Sequence, residues 1–298
     1  MRTISKATAA LVALAALTAG PAAAANHDGD RGRDRGRVDC TRDDEGGRRS
    51  LVVVGLTADQ RLICFDERRP DRASAIGSVV GLDGDTALVG VDYRPATGEL
   101  FGLGNAGGLY VLDPESAGAT KRAQLNVALA GASFGVDFNP TVDRLRVVSD
   151  TGQNLRVNPD TGATTVDGAL NDGAAPPVTL LGITGAAYTN NDGDPGTATT
   201  LFDADTARDR IAIQAPPNAG TQNPTGGLRV DSGLGVGFDI HSTLRGGTTV
   251  EVRALASLPV GGGVGLFGID LFTGAASHRG TFAPSDQVIG LAIPLDQL

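Results

Sequence analysis

Three aspartates recur at one position of a repeated motif, and together they could do chemistry. They are Asp92 in GVDYRP (Gly90 to Pro95), Asp137 in GVDFNP (Gly135 to Pro140) and Asp239 in GFDIHS (Gly237 to Ser242). Two further copies, GAAYTN (Gly185 to Asn190) and GLAIP (Gly290 to Pro294), carry Ala187 and Ala292 at that position. The neighbours of each Asp are apolar, and side chains on a strand alternate between faces, so the three carboxylates share the opposite face. Three carboxylates around one axis offer the acid and base of a glycosidase, or an oxygen cage for Ca²⁺. They have a structural use as well, which the turn Pro140 to Asp143 brings out. That turn sets Asn139 against Arg144, Phe138 against Leu145 and Asp137 against Arg146, a cross-strand charge pair that steadies a half-buried sheet face. The matching register in the preceding copy sets Arg94 against Glu99 and Asp92 against Phe101. The structural use is preferred, because no Glu lies on any of these strands and two of the five lack a carboxylate.

Two other groups of residues invite a functional reading. The segment DRLRVVSDTGQNLRVN (143–158) is the most polar of the repeats, and its Arg144, Arg146, Asn154 and Arg156 could fork around a carboxylate or phosphate ligand. Pairing with Asp of an adjacent unit uses the same residues and is preferred. The turn YTNNDGDPGT (188–197) gathers Asn190, Asp192 and Asp194 in a calcium-loop-like run, without the later Glu of an EF-hand. An ordinary Asn/Asp/Gly turn explains it as well and is preferred. His27, His241 and His278 have no zinc-ligand spacing, and no GxSxG stretch is present. No cofactor is expected beyond a structural Ca²⁺.

The elements that position these residues follow from the repeat. With 43 Gly, 15 Pro and no Trp, the chain shows turn signals every 8 to 12 residues and no long helical periodicity after residue 25. Each copy is an inner strand, a tight turn and further short strands. Its third strand ends on a polar residue entering a turn: Asp66, Asp113, Asn158, Gln214 and Asp270. Five of each landmark predict an all-β, five-bladed β-propeller. The fold starts with LVVVGLTADQRLICFDE, which lacks a first strand, and ends with VIGLAIP, which is only a first strand. Joining the two completes blade 1 and leaves no open edge, so a monomer is expected. The blades are placed at 51–83 with 286–294, then 87–127, 134–170, 180–230 and 234–282. In the last, ALASLPVGGG is read as an insertion, and in the fourth, PPNAGTQNPTGG as a long approach to the outer strand.

The ends set the setting. Residues 1–25 combine Arg2 and Lys6, an apolar stretch and PAAAA, the order of a secretory signal peptide. Residues 26–49 hold seven Arg against seven Asp or Glu with almost nothing apolar, which predicts a flexible charged leader before the propeller at 50–298. Loss of the signal peptide leaves 23 basic against 34 acidic residues, a net charge of −11. Such a charge, with only two Lys in the chain, argues against nucleic acid as a partner. No run after residue 25 is apolar enough for a membrane helix. Cys40 and Cys64 are expected to pair in an exported chain.

The segments GVDFNP and DRLRVVSDTGQNLRVN resemble those of an uncharacterised exported bacterial family, known only as a domain of unknown function. The resemblance runs from about Leu51 to Leu291. It implies an extracytoplasmic propeller and brings no catalytic residues with it. The expectation is a secreted, non-catalytic binding or scaffold module for an extracellular glycan or protein. The alternative is a polysaccharide-active hydrolase working through carboxylates in the central channel.

Overall fold

Short alternating segments punctuated by Gly, Asn and Asp turns can bury one face only by stacking sheet on sheet, and the chain does so five times. In a computed structural model the described residues are 50–191, 196–246, 248–295 and 297. Residues 1–49, with the expected signal peptide, leader and Cys40, lie outside them, as do Asp192 and Asp194.

Blade 1 contains β1 (Val52–Thr57), β2 (Arg61–Asp66) and β3 (Ser74–Ser78). Blade 2 is β4 (Leu88–Tyr93), β5 (Leu100–Gly104), β6 (Gly108–Leu112) and β7 (Ala119–Gln124). Blade 3 is β8 (Phe134–Asn139), β9 (Arg144–Ser149), β10 (Asn154–Val157) and β11 (Thr164–Val166). Blade 4 is β12 (Ile183–Tyr188), β13 (Leu201–Asp205), β14 (Arg210–Gln214) and β15 (Gln222–Gly227). Blade 5 is β16 (Gly237–Arg245), β17 (Thr248–Val260), β18 (Gly263–Ile269) and β19 (Ala276–Thr281). The last strand, β20 (Val288–Ala292), returns to blade 1 and gives that sheet the order β20-β1-β2-β3.

The protein is therefore a five-bladed propeller of four-stranded antiparallel sheets, closed by its C-terminal strand. Val54, Gly55 and Leu56 pair with Ala292, Leu291 and Gly290 across the closure. Beyond it the Gln297 side chain accepts from the Val52 N–H at 2.7 Å and donates to the Val52 carbonyl at 2.9 Å.

Apolar burial falls between blades. Separate clusters fill the seams between blades 1 and 2 (Leu56, Leu88, Tyr110), 2 and 3 (Phe101, Phe138, Leu145), 4 and 5 (Phe202, Phe238, Phe267), and 5 and 1 (Phe65, Leu266, Leu291). The seam between blades 3 and 4 has the smallest apolar cluster, around Ile183, Tyr188 and Leu201. The polar landmark at the end of each third strand has a local purpose in four blades. Asp66, Asp113, Asn158 and Asp270 each accept the N–H of the residue two positions on, tying a tight turn.

One expectation about blade 5 is corrected. ALASLPVGGG is no insertion: Ala254 to Val260 run unbroken in β17, paired with Ile269 to Gly263 of β18. Pro259 is tolerated because it sits next to the hairpin end. The extra length lies at the other end, where β16 and β17 extend as a hairpin past the sheet, with Leu244, Val250 and Val252 exposed.

Candidate functional site

The inner edge of each sheet has backbone N–H groups aimed at the axis, with no neighbouring strand to accept them. Such groups must find acceptors when buried. The motif Gly-x-Asp-x, with the N–H of the residue after the Asp position, resolves the problem. Asp92 on β4 accepts from its own neighbour Tyr93 (2.7 Å) and from Phe138 on β8 (2.7 Å). Asp137 on β8 accepts from Tyr188 on β12 (3.0 Å). Asp239 on β16 accepts from Ile240 (2.5 Å) and from Ile293, just beyond β20 (2.6 Å). Three carboxylates thus serve one N–H from each of five blades, and three of the five bonds cross from one blade to the next.

Glycine two residues before the Asp position is what lets the inner strands come this close. A Cβ on Gly135 would lie 2.5 Å from the Ala186 nitrogen, and one on Gly237 would lie 2.6 Å from the Leu291 nitrogen. The space left among these glycines is about 10 Å³, room for a single water.

Asp92, Asp137 and Asp239 are 6 %, 4 % and 5 % exposed, and one oxygen from each lies within 4.8 Å of the others. Burial first, and then the negative charge of Asp239, pushes the Asp92 carboxyl well above the ordinary range. Burial, then Asp92 and Asp239, do the same to Asp137, and burial raises Asp239 to about 6. Three oxygens this close could hold a metal ion, and the geometry bears differently on the two chemistries considered from the sequence. A glycosidase needs its two carboxylates on either side of a sugar ring, whereas these three are buried with an oxygen of each within 4.8 Å of the others. Ca²⁺ takes about six to eight oxygens, and five of the six here already accept amide protons.

The register Asp137 opposite Arg146 is as the turn predicts, and so is Asp92 opposite Phe101. The expected ion pair is not made among the described residues. Arg146, 1 % exposed, turns away from the axis into the seam between blades 3 and 4. There it donates to Asn154 Oδ1 (2.7 Å), Asp167 Oδ2 (2.7 Å), Asn218 Oδ1 (3.1 Å) and the Tyr188 hydroxyl (3.3 Å). Arg156 grips the same Asp167 with two bonds of 2.6 and 2.9 Å.

Asn154 donates onward to the carbonyls of Gly168 and Pro217, and Gln214 to Pro217. Beside them Gln222 donates to Asp203 at 2.6 Å, and burial raises the Asp203 carboxyl to about 7. Of the four ligand-binding candidates, Arg146, Asn154 and Arg156 therefore meet, with their donors directed at protein acceptors. Arg144 stands apart, donating to the carbonyls of Val142 and Asp143. Asp167, Asn218, Gln222 and Asp203 were not singled out in the sequence, and Gln214 only as a strand-end landmark; they come from separate turns and strands that only the fold assembles.

Of the calcium-loop candidates only Asn190 is described. Its N–H donates to Ser242 Oγ at 2.9 Å, and its side-chain amide donates to the Ala198 carbonyl. Cys64 is buried on β2, and its pairing with Cys40 falls outside the described residues. Among the described residues, no helix is long and apolar enough to cross a membrane.

Similarity to known proteins is low. No curated protein matches the chain. Among solved structures, an auxiliary nutrient binding protein from Bacteroides ovatus shares 12 % identity at a TM-score of 0.38, over 58 % of this chain and 46 % of that one. A protein of unknown function from Bacteroides thetaiotaomicron shares 11 % at a TM-score of 0.48, over 72 % and 55 %. A Lactobacillus plantarum protein shares 11 % at 0.40, over 82 % and 99 %. The chain thus spans about half the length of the first two. One match covers most of the propeller, from residue 61 to residue 292, and by it the chain belongs to the family of the domain of unknown function DUF4394.

Proposed function

We propose that the protein is a non-catalytic binding or scaffold module that works outside the cytoplasm. The observation that carries this reading is the commitment of Asp92, Asp137 and Asp239, all buried, to backbone amides of neighbouring blades. The strongest cluster of acid–base candidates in the chain is then part of the scaffold. The polar residues of blade 3 are likewise directed inward, which leaves recognition to the loops and hairpins at the faces. The blade 5 hairpin, with Leu244, Val250 and Val252 exposed, is the part best shaped to meet an extracellular glycan or protein. Export rests on the signal-peptide pattern of residues 1–25, and a Cys40–Cys64 disulfide goes with it. The acidic surface speaks against nucleic acid, and the closed ring supports a monomer.

The test is a paired assay on the purified mature chain: release of reducing ends from soluble polysaccharides, and retention on insoluble cell-wall material. The expected result is retention without release, with retention lost in a V250D/V252D variant of unchanged melting temperature. Turnover abolished by Asp92→Asn or Asp239→Asn in a chain that melts like the wild type would overturn the reading in favour of a hydrolase.

A further inference from the structure

Six carboxylate oxygens gather at the propeller axis, and five amide N–H groups meet them. Among the described residues both oxygens of Asp92 and both of Asp239 accept an amide, whereas Asp137 uses Oδ1 alone. The asymmetry comes from the order of the repeats. An amide is served by the Asp of the preceding blade where there is one, and otherwise by its own. Blades 2 and 5 follow the alanine positions Ala292 and Ala187, so Asp92 and Asp239 each serve two amides. Blade 3 follows Asp92, which already serves Phe138, so Asp137 has only Tyr188 to serve.

Three buried carboxylates within 4.8 Å cannot all stay ionised without strong mutual repulsion. An oxygen that accepts an amide proton is held in its charged form, so a neutralising proton belongs on the oxygen that accepts none. Once there, its O–H can donate to a neighbouring carboxylate.

We propose that Asp137 Oδ2 is the proton-binding atom of the axial ring, and that this makes closure of the propeller pH-sensitive. Acid holds the inner strands together; rising pH strips the proton and sets Asp92, Asp137 and Asp239 against one another. The other titratable groups near the ring do not relieve this. Arg146 lies opposite Asp137 but spends its donors on Asn154, Asp167, Asn218 and Tyr188. The Tyr188 hydroxyl faces Arg146, and the Tyr93 phenol is pushed up to about 12 by burial and by Asp92. On β16 the His241 ring is engaged by the Leu295 carbonyl. Asp92 and Asp239 face Phe101 and Leu255 across their hairpins. Because the three folded-state values are raised above 3.8, the stability they contribute is complete below that pH. It is lost as pH climbs through the folded values, about 6 for Asp239.

The test compares melting temperatures of the mature wild type, Asp137→Asn, Asp92→Asn and Asp239→Asn between about pH 5 and about pH 8, with and without EDTA. In Asp137→Asn the amide oxygen still accepts from Tyr188 and the NH2 takes the place of the O–H. This variant is expected to fold and to show a clearly smaller fall in melting temperature on going to high pH than the wild type, the remainder coming from Asp92 and Asp239. In Asp92→Asn and Asp239→Asn the new NH2 confronts an amide N–H, and both are expected to melt lower at either pH, by roughly 3–10 °C. Three outcomes would overturn the proposal: Asp137→Asn as damaged as the other two at every pH, a wild type indifferent to this range, or a wild type that EDTA destabilises.

Discussion

Asp239 holds two strands from opposite ends of the propeller's repeat order, accepting the Ile240 amide of its own blade and the Ile293 amide that follows the closing strand. The closing strand is thus fastened twice, by its ladder to β1 and by a carboxylate from blade 5. Removing that carboxylate strands two buried N–H groups at once, each costing about 1–3 kcal/mol. Asp239→Ala is therefore expected to lose more stability in urea than Asp137→Ala, which strands only Tyr188. Equal losses would mean that the two aspartates do not differ in the way their contacts indicate.

The inner glycines are expected to be intolerant of a methyl group. In Gly237→Ala the Cβ meets the Leu291 nitrogen at 2.6 Å, and backbone has no rotamer by which to yield. In Gly263→Ala the nearest neighbour is Thr281 Cγ2 at 3.9 Å, an ordinary contact. Thermal melts should show Gly237→Ala lower by at least about 1–3 kcal/mol of overpacking strain and Gly263→Ala close to wild type.

Arg146 is expected to be the most costly arginine to remove. Its loss leaves Asn154 and Asn218 without their donor and Asp167 held by Arg156 alone, and each buried acceptor left unsatisfied costs about 1–3 kcal/mol. Arg144→Ala, losing only bonds to its own loop, should cost well under about 1 kcal/mol. Chemical denaturation of the two variants checks the contrast, and similar midpoints would contradict it.

These sites were legible in the sequence to different depths, for physical reasons. The inner strands were readable because Gly-x-Asp/Ala recurs at fixed register, and the closure because the first blade lacks a strand that the C-terminus supplies. The Asp137–Arg146 register followed from one short turn, which is local geometry. The direction of each side chain was not local. The bonds from Asp92 to Phe138, Asp137 to Tyr188 and Asp239 to Ile293 span 46, 51 and 54 residues, and they exist only once separate sheets pack side by side. Register alone therefore suggested an ion pair, where the carboxylate turns across to the next blade and the arginine outward. ALASLPVGGG misled for another reason: Pro259 and the following glycines carry turn signals, while Pro259 in fact lies near the end of a long strand.

The axial carboxylates serve as acceptors joining one blade to the next. Amide hydrogen exchange on Asp92→Ala measures this most directly. The expected result is a loss of protection at Tyr93 and Phe138, one in the same blade and one in the next, with Tyr188 and Ile293 still slow. Unchanged protection at Phe138 in a folded variant would contradict it.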